Sequence, residues 1–164
     1  MLTVDQFIKA YRKECLICIN LYSKIPVGGL DYRPSPGQRS TLELLRYLSY
    51  GPYNVVRRIV HGDWSLGLPS NEATKDMPAT DFVDKMNWHM DEVARLVRSV
   101  PLTNLQTEMM TFPWGTTKSK AEALVDYPFK WITGYKLQLF VYLKAAGAKE
   151  LGTADAWRHP FNVE

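Results

Sequence analysis

The apolar positions of the chain recur at steps of three and four in four segments, which is the pattern of helices that bury one face. In the first segment, residues 3–24, these positions are Val4, Ile8, Tyr11, Cys15, Cys18 and Tyr22. Similar stripes run from Ser40 to about residue 60, from Thr80 to Pro101 and from Ser119 to about Ala146. No segment shows the strict alternation that is typical of a strand. The pattern therefore predicts an all-α four-helix bundle with long inter-helix connections.

Local signals set the ends of these helices. A Ser or Thr followed three residues later by Glu or Gln predicts a capping box at three helix starts. The pairs are Thr3 with Gln6, Ser40 with Glu43, and Ser119 with Glu122. Thr80 is the expected cap of the third helix and Gly147 the expected end of the fourth. Proline removes a backbone donor, so bends are expected at Gly51-Pro52 in helix two and at Pro128 in helix four.

The connections 27–39, 61–79 and 102–117 are rich in Gly and Pro and longer than ordinary loops. The third contains Phe112-Pro113-Trp114-Gly115, which predicts an excursion packed by its own aromatic side chains. A length of 164 residues corresponds to about one domain, so residues 1–164 are expected to form a single unit.

Composition narrows the class of protein. Hydrophobic residues make up 46% and charged residues 23%, which are values of an ordinary globular chain. Apolar stretches stay far below the ~18 residues that span a bilayer, and no secretory signal opens the chain, so we expect a soluble cytoplasmic protein without a membrane partner. The formal net charge of +3 is mild and no helix carries a sustained basic face. Nucleic-acid binding is therefore not expected.

Two motifs with possible chemistry lie on apolar stripes. Cys15 and Cys18 have the spacing of redox and metal sites, but mid-helix they are better explained as small buried residues. His89 is better explained as a core histidine with a hydrogen-bond partner than as a metal ligand. No His-Glu-x-x-His, Gly-x-Ser-x-Gly or phosphate-loop motif occurs in the sequence.

Aromatic residues are concentrated on the second and fourth predicted helices. They are Tyr47, Tyr50, Tyr53, Trp131, Tyr135 and Tyr142. Buried hydroxyl and indole groups need hydrogen-bond partners. Two interpretations stay open: a filled core with a hydrogen-bonded network, or a polar cavity between the helices.

Two stretches of the chain resemble the DinB-like superfamily of four-helix bundles. The first is the segment LDYRPSPGQRS, residues 30–40, leading into LELLRYL, residues 42–48. The second combines Pro113-Trp114-Gly115 with WITGYKLQL, residues 131–139. The resemblance implies an up-down-down-up bundle and frequent homodimers. It also implies an enzyme ancestry, because members of known activity mostly use a divalent metal and a low-molecular-weight thiol.

The metal ligands implied by the resemblance are three histidines, and this sequence has none of them. Matching the motifs places the three positions on Tyr47, Trp131 and Tyr135. A Trp N–H cannot ligate a metal, and a Tyr must first ionise from a pKa near ~10. We therefore predict no metal and no other cofactor.

Two functions remain from the sequence. The first is a metal-free DinB-like domain that binds a small molecule or a protein, with a candidate pocket formed by Tyr47, Trp131, Tyr135, His89 and Glu43. The second is a divergent thiol-dependent transferase or isomerase. It would use His89 or a Tyr as acid–base group, or a metal held by His89 with Glu43. Whether the chain is an enzyme stays open at this point.

A triple substitution tests the assignment of the metal positions. We expect Tyr47→His, Trp131→His and Tyr135→His together to create a site that binds zinc or nickel, because histidine is the common ligand of both metals. Metal titration followed by metal analysis of the purified variant measures this. Failure of a folded triple variant to bind either metal would contradict the alignment.

Overall fold

The computed structural model describes residues 3–158, and four long helices dominate it. In chain order the elements are α1 (Val4–Tyr22), α2 (Thr41–His61), α3 (Ser70–Ala73), α4 (Phe82–Arg98), α5 (Leu102–Thr107), β1 (Met109–Thr111), β2 (Thr117–Ser119), α6 (Lys120–Leu124), a π-helix (Val125–Phe129) and α7 (Lys130–Ala145). Helices α1, α2, α4 and α7 enclose one apolar core. The predicted all-α bundle is confirmed. Residues 1–2 and 159–164 of the predicted domain lie outside the described residues.

Contacts between side chains give the direction of each helix relative to α1. Arg12 pairs with Asp91 at 3.2 Å, and Asp5, two turns earlier, pairs with Arg98 at 3.0 Å, so α1 and α4 are antiparallel. The contacts between α1 and the α7 side of the bundle run in the same direction along both segments of the chain. Phe7 meets Phe129 at a centroid distance of 6.2 Å, and Glu14 meets Lys136 at 2.7 Å. Helices α1 and α7 are therefore parallel.

Helix α2 has the same direction as α4. Arg46 Nε donates to the carbonyl of Met77, just before α4, at 2.8 Å. Two turns further along α2, the rings of Tyr53 and Trp88 of α4 lie 4.7 Å apart. With α1 up, α2 and α4 are down and α7 is up. This is the up-down-down-up order that the resemblance implies.

The predicted helix starts are mostly confirmed. Capping boxes are present at Thr3, Ser40 and Ser119, and Gly147 has the left-handed φ of 100° after the last helix. The prediction for Thr80 is wrong. A 3₁₀ turn, Ala79–Asp81, precedes α4, and its backbone supplies the bonds that a capping side chain would otherwise make.

The two prolines inside helices are accommodated in different ways. Helix α2 continues through Pro52 to its end at His61. Pro128 lies in the π-helix between α6 and α7. A π turn is a known adjustment where the regular hydrogen-bond ladder is interrupted, so the fourth predicted helix is a composite of three segments.

The structure also contains two short strands that the sequence pattern did not indicate. Strands β1 and β2 form an antiparallel hairpin in which Met110 is paired with Lys118. Each strand has three residues, too few to give a visible alternation. The hairpin tip packs as predicted: Phe112 stacks on Trp114 at 4.9 Å, and both rings contact Trp64.

The connection 62–81 runs back along α2 and is bonded to it. Asn54 Nδ2 donates to the carbonyl of Leu68 at 3.2 Å, and Arg58 Nε donates to that of Leu66 at 2.7 Å. Gly67 between them has a φ of +79°, and a Cβ there would lie 2.3 Å from Asn54 Oδ1. Only glycine fits this position. The same side chains that hold the connection therefore specify its path.

A buried ion pair joins α1 to α7, and the sequence pattern did not indicate it. Lys136 Nζ lies 2.7 Å from Glu14 Oε2, and the Lys136 side chain is only 1% exposed. The ring of Trp157 covers the ammonium group at 4.7 Å. Cys15 and Cys18 are buried free thiols beside this pair, and burial raises the pKa of both. No described helix, within residues 3–158, is both long and apolar enough to cross a membrane.

Loss of one partner of this pair is expected to be costly. Glu14→Gln leaves the Lys136 charge buried without a counter-ion, so we expect a loss of about 3–5 kcal/mol in the free energy of unfolding. The double variant Glu14→Gln/Lys136→Met is expected to recover most of that loss. The control is Asp5→Asn, which breaks the exposed pair with Arg98 and is expected to cost less than about 1 kcal/mol. Urea denaturation measures these variants together with the single variant Lys136→Met, and a double variant as unstable as the sum of its two single variants would contradict this account.

Candidate functional site

A pocket of about 520 Å³ opens at the end of the bundle where α2 begins. Its walls are formed by the connection before α2, by the first two turns of α2, and by α3 together with the residues that directly follow α3. The lining residues are Arg33, Gly37, Gln38, Arg39, Glu43, Arg46, Tyr47, Ser70, Asn71, Thr74 and Lys75. Its volume lies in the range of pockets that bind small molecules.

The connection before α2 is fixed by hydrogen bonds to the backbone. Thr41 N donates to the Tyr32 carbonyl at 2.9 Å, which joins the start of α2 to the preceding connection. A turn follows in which Gln38 N donates to the Ser35 carbonyl at 3.0 Å. Arg33 donates to the carbonyl of Gln38 across this turn. The loop that carries Arg39 is therefore held in place by its own backbone.

Tyr47 and Tyr135 form the aromatic base of the site. Their ring centroids are 4.7 Å apart at an angle of 61°, an edge-to-face pair between α2 and α7. The Arg39 guanidinium lies over the Tyr47 ring at 4.3 Å and 5.9 Å from the Tyr135 ring centroid. Burial raises the pKa of Tyr47, and the neighbouring Tyr135 raises it further against the opposing effect of Arg39. The phenol is neutral at physiological pH.

Glu43 is committed to the start of α2. Its Oε2 accepts the backbone N–H of Ser40 at 2.7 Å and pairs with Arg33 at 2.9 Å. The hydrogen bond from Ser40 and the charge of Arg33 lower the pKa of Glu43. Glu43 is thus an ionised carboxylate whose charge is balanced by Arg33.

His89 lies in the core, away from the pocket. Tyr11 OH and His89 Nε2 are 2.8 Å apart, and the Tyr53 ring packs on the imidazole at 6.1 Å. Burial lowers the pKa of His89 to about 3, and the nearby carbonyls of Leu48 and Ser49 oppose that effect. The ring is neutral, so the prediction of a core histidine with a hydrogen-bond partner is confirmed.

The Leu48 carbonyl lies near the imidazole of His89. In a regular helix this carbonyl would accept the N–H of residue 52, but Pro52 has none. Among the described residues His89 Nδ1 has no hydrogen-bond partner, so the hydrogen bond of this ring is the one to Tyr11.

The five predicted site residues are not gathered in one place. Tyr47 and Glu43 line the pocket, Tyr135 contacts Tyr47 behind it, and His89 is on another side of α2. Trp131 is half-buried against the core, one turn before Tyr135 on α7. Between residues 3 and 158 no three His, Cys, Asp or Glu side chains lie close enough together to hold a metal ion.

Sequence reasoning missed the cationic residues of the pocket. Arg39, Arg46 and Lys75 are not neighbours along the chain, so no cluster of basic residues marks them in the sequence. The motif of residues 30–40 contains Arg39 and is the sequence signal that lies at this pocket. A second, apolar groove of about 580 Å³ lies at the opposite end of the bundle beside Phe7 and Leu105 and contains none of the predicted site residues.

The fold and site define an all-α bundle of the up-down-down-up type with a polar pocket at one end. Among solved structures, the chain is similar to a crystal structure of a DinB-like protein, YjoA, from Bacillus subtilis. The similarity has a TM-score of 0.69 at 17% sequence identity and covers 90% of this chain and 96% of that one. No family model and no curated protein matches the sequence. The chain therefore has the DinB-like fold, as the resemblance predicted.

The buried His89 gives a testable pH dependence. The pKa is about 3 in the folded protein against 6.5 ordinarily, so below pH 6.5 the unfolded chain binds the proton more readily. The contribution of His89 to the free energy of unfolding is therefore fully present above pH 6.5. It decreases by about 1.4 kcal/mol for each pH unit between pH 6.5 and pH 3. We expect His89→Gln to lose this slope in urea denaturation and His61→Gln, at an exposed site, to keep it. Equal slopes in both variants would contradict the assignment.

Proposed function

We propose that this protein is a metal-free binding domain for a small molecule, with its site in the pocket beside Tyr47. The observation that carries the proposal is the location of the pocket. It opens next to Tyr47 and Glu43, two of the site residues predicted from the sequence. The connections that form it are hydrogen-bonded to α2. A preformed pocket of this size favours ligand binding.

The side chains at the three metal positions implied by the fold do not suit a divalent cation. Trp131 offers no lone pair in the ring plane. Tyr47 and Tyr135 face each other as a neutral aromatic pair, and the raised pKa of Tyr47 opposes the ionised form that a metal would need. We therefore base no chemistry on a metal at these positions.

The enzyme alternative used His89 or a tyrosine as acid–base group, or a metal held by His89 with Glu43. His89 is fully buried and hydrogen-bonded to Tyr11, and it does not line the pocket. Glu43 is engaged by Ser40 and Arg33 at the pocket rim. These contacts favour a binding function over an enzyme that uses His89 and Glu43 together.

A substitution that fills the pocket tests the proposal. Asn71 is exposed on the pocket wall, so we expect Asn71→Trp to block the pocket without disturbing the core. The matched control is Asn87→Trp, the same change on an exposed position of α4. Saturation-transfer NMR with a library of anionic, neutral and cationic fragments measures binding.

We expect at least one fragment to bind the unmodified protein and the control equally and the Asn71→Trp variant at least tenfold more weakly. Binding that is insensitive to Asn71→Trp would place the ligand elsewhere. A complete absence of binding fragments would contradict the small-molecule proposal.

A further inference from the structure

The pocket beside Tyr47 concentrates the positive charge of the protein. Four cationic side chains, Arg33, Arg39, Arg46 and Lys75, and one carboxylate, Glu43, line it. Their formal charge of +3 equals the formal net charge of the whole chain. The formal charges of all other residues sum to zero, so the lining of this pocket carries a clear excess of positive charge. A cleft lined by one sign of charge focuses the electric field and raises the local concentration of counter-ions.

Three of these cations are not neutralised by the protein. Arg33 is paired with Glu43 at 2.9 Å. Within residues 3–158, no carboxylate lies within 4 Å of the charged groups of Arg39, Arg46 or Lys75. These side chains are exposed or half-buried, so their charges remain accessible to a ligand of opposite charge.

The arginines are held in position while keeping donors available. Arg46 Nε donates to the Met77 carbonyl at 2.8 Å, and the terminal amino groups of Arg46 have no acceptor among the described residues. Arg39 is held over the rings of Tyr47 and Tyr135 through its π face, which uses none of its N–H groups. A guanidinium presents its N–H groups as a planar fork that matches phosphate and carboxylate oxygens.

The rest of the lining is polar. Gln38, Ser70, Asn71 and Thr74 stand around the cations, and Thr74 Oγ1 already donates to the Ser70 carbonyl at 2.8 Å. Amide and hydroxyl groups can complete the hydrogen bonds of a charged ligand. A ligand of apolar character would leave these groups and the three cations without partners.

We propose that the ligand of this pocket is a compact multivalent anion, the chemistry that phosphate esters share with di- and tricarboxylates, and that Arg39 is its main recognition residue. The inference rests on the proposed binding function and names its ligand class. The aromatic pair Tyr47–Tyr135 thereby acquires a role: it positions the Arg39 guanidinium at the pocket.

The test is calorimetric titration with pyrophosphate and with citrate at constant ionic strength. We expect saturable one-to-one binding of at least one of the two anions, and the tighter of them identifies the phosphate or the carboxylate class. Arg39→Gln is expected to weaken binding at least tenfold, and Lys75→Gln at least threefold. The control Arg12→Gln removes the same charge from the α1–α4 surface and is expected to leave binding within twofold.

Two results would overturn the inference: no saturable binding of either anion, or equal weakening by Arg39→Gln and Arg12→Gln. Arg39 is exposed, so its variant is expected to keep the melting temperature of the unmodified protein. If Arg39→Gln unfolds, Lys75→Gln decides the question. The NMR experiment with fragments distinguishes failure of the anion inference from failure of the proposed small-molecule binding function. Neutral fragments blocked by Asn71→Trp would keep the pocket as a binding site while excluding the anion.

Discussion

The attachment of the connection 62–81 to α2 is the constraint on which the bundle depends. Helices α2 and α4 are parallel, so the chain must return along the full length of α2 before α4 begins. Asn54, Arg58 and Arg46 hold this return path by donating to its carbonyls, and Gly67 gives it room to pass Asn54. The path also places α3 beside the start of α2. Without these bonds the wall of the pocket that carries Ser70 to Lys75 would have no fixed position.

A second set of polar contacts lies inside the core and joins three helices at one level. Tyr11 of α1 is hydrogen-bonded to Nε2 of His89 in α4, and the imidazole lies near the Leu48 carbonyl of α2, whose usual helical donor is missing at Pro52. The hydrogen bond gives the buried Tyr11 hydroxyl and His89 Nε2 a partner each, whereas His89 Nδ1 has none among the described residues.

The sequence predicts the fold better than the site for a physical reason. Helical periodicity and capping boxes are local signals, and they gave the four long helices and three of their starts. The hairpin strands were missed because three residues are too short for a pattern. Lys136 was missed because its partner Glu14 lies on another helix, and a charged residue counts as exposed until that partner is known. Arg33, Arg39 and Arg46 lie near one another in the sequence at spacings that form no basic cluster, and Lys75 joins them only through the connection 62–81.

The position of Tyr47 and Tyr135 connects the fold to the proposed chemistry. The resemblance implies that histidines at both positions would bind a metal cation within the bundle. Here two neutral rings meet instead, and their π faces hold the guanidinium of Arg39 close to the surface. The positive charge here belongs to a side chain of the protein, Arg39, and it lies at the pocket between the start of α2 and α3. Under the proposal made above, an anion would bind directly to these side chains of the bundle.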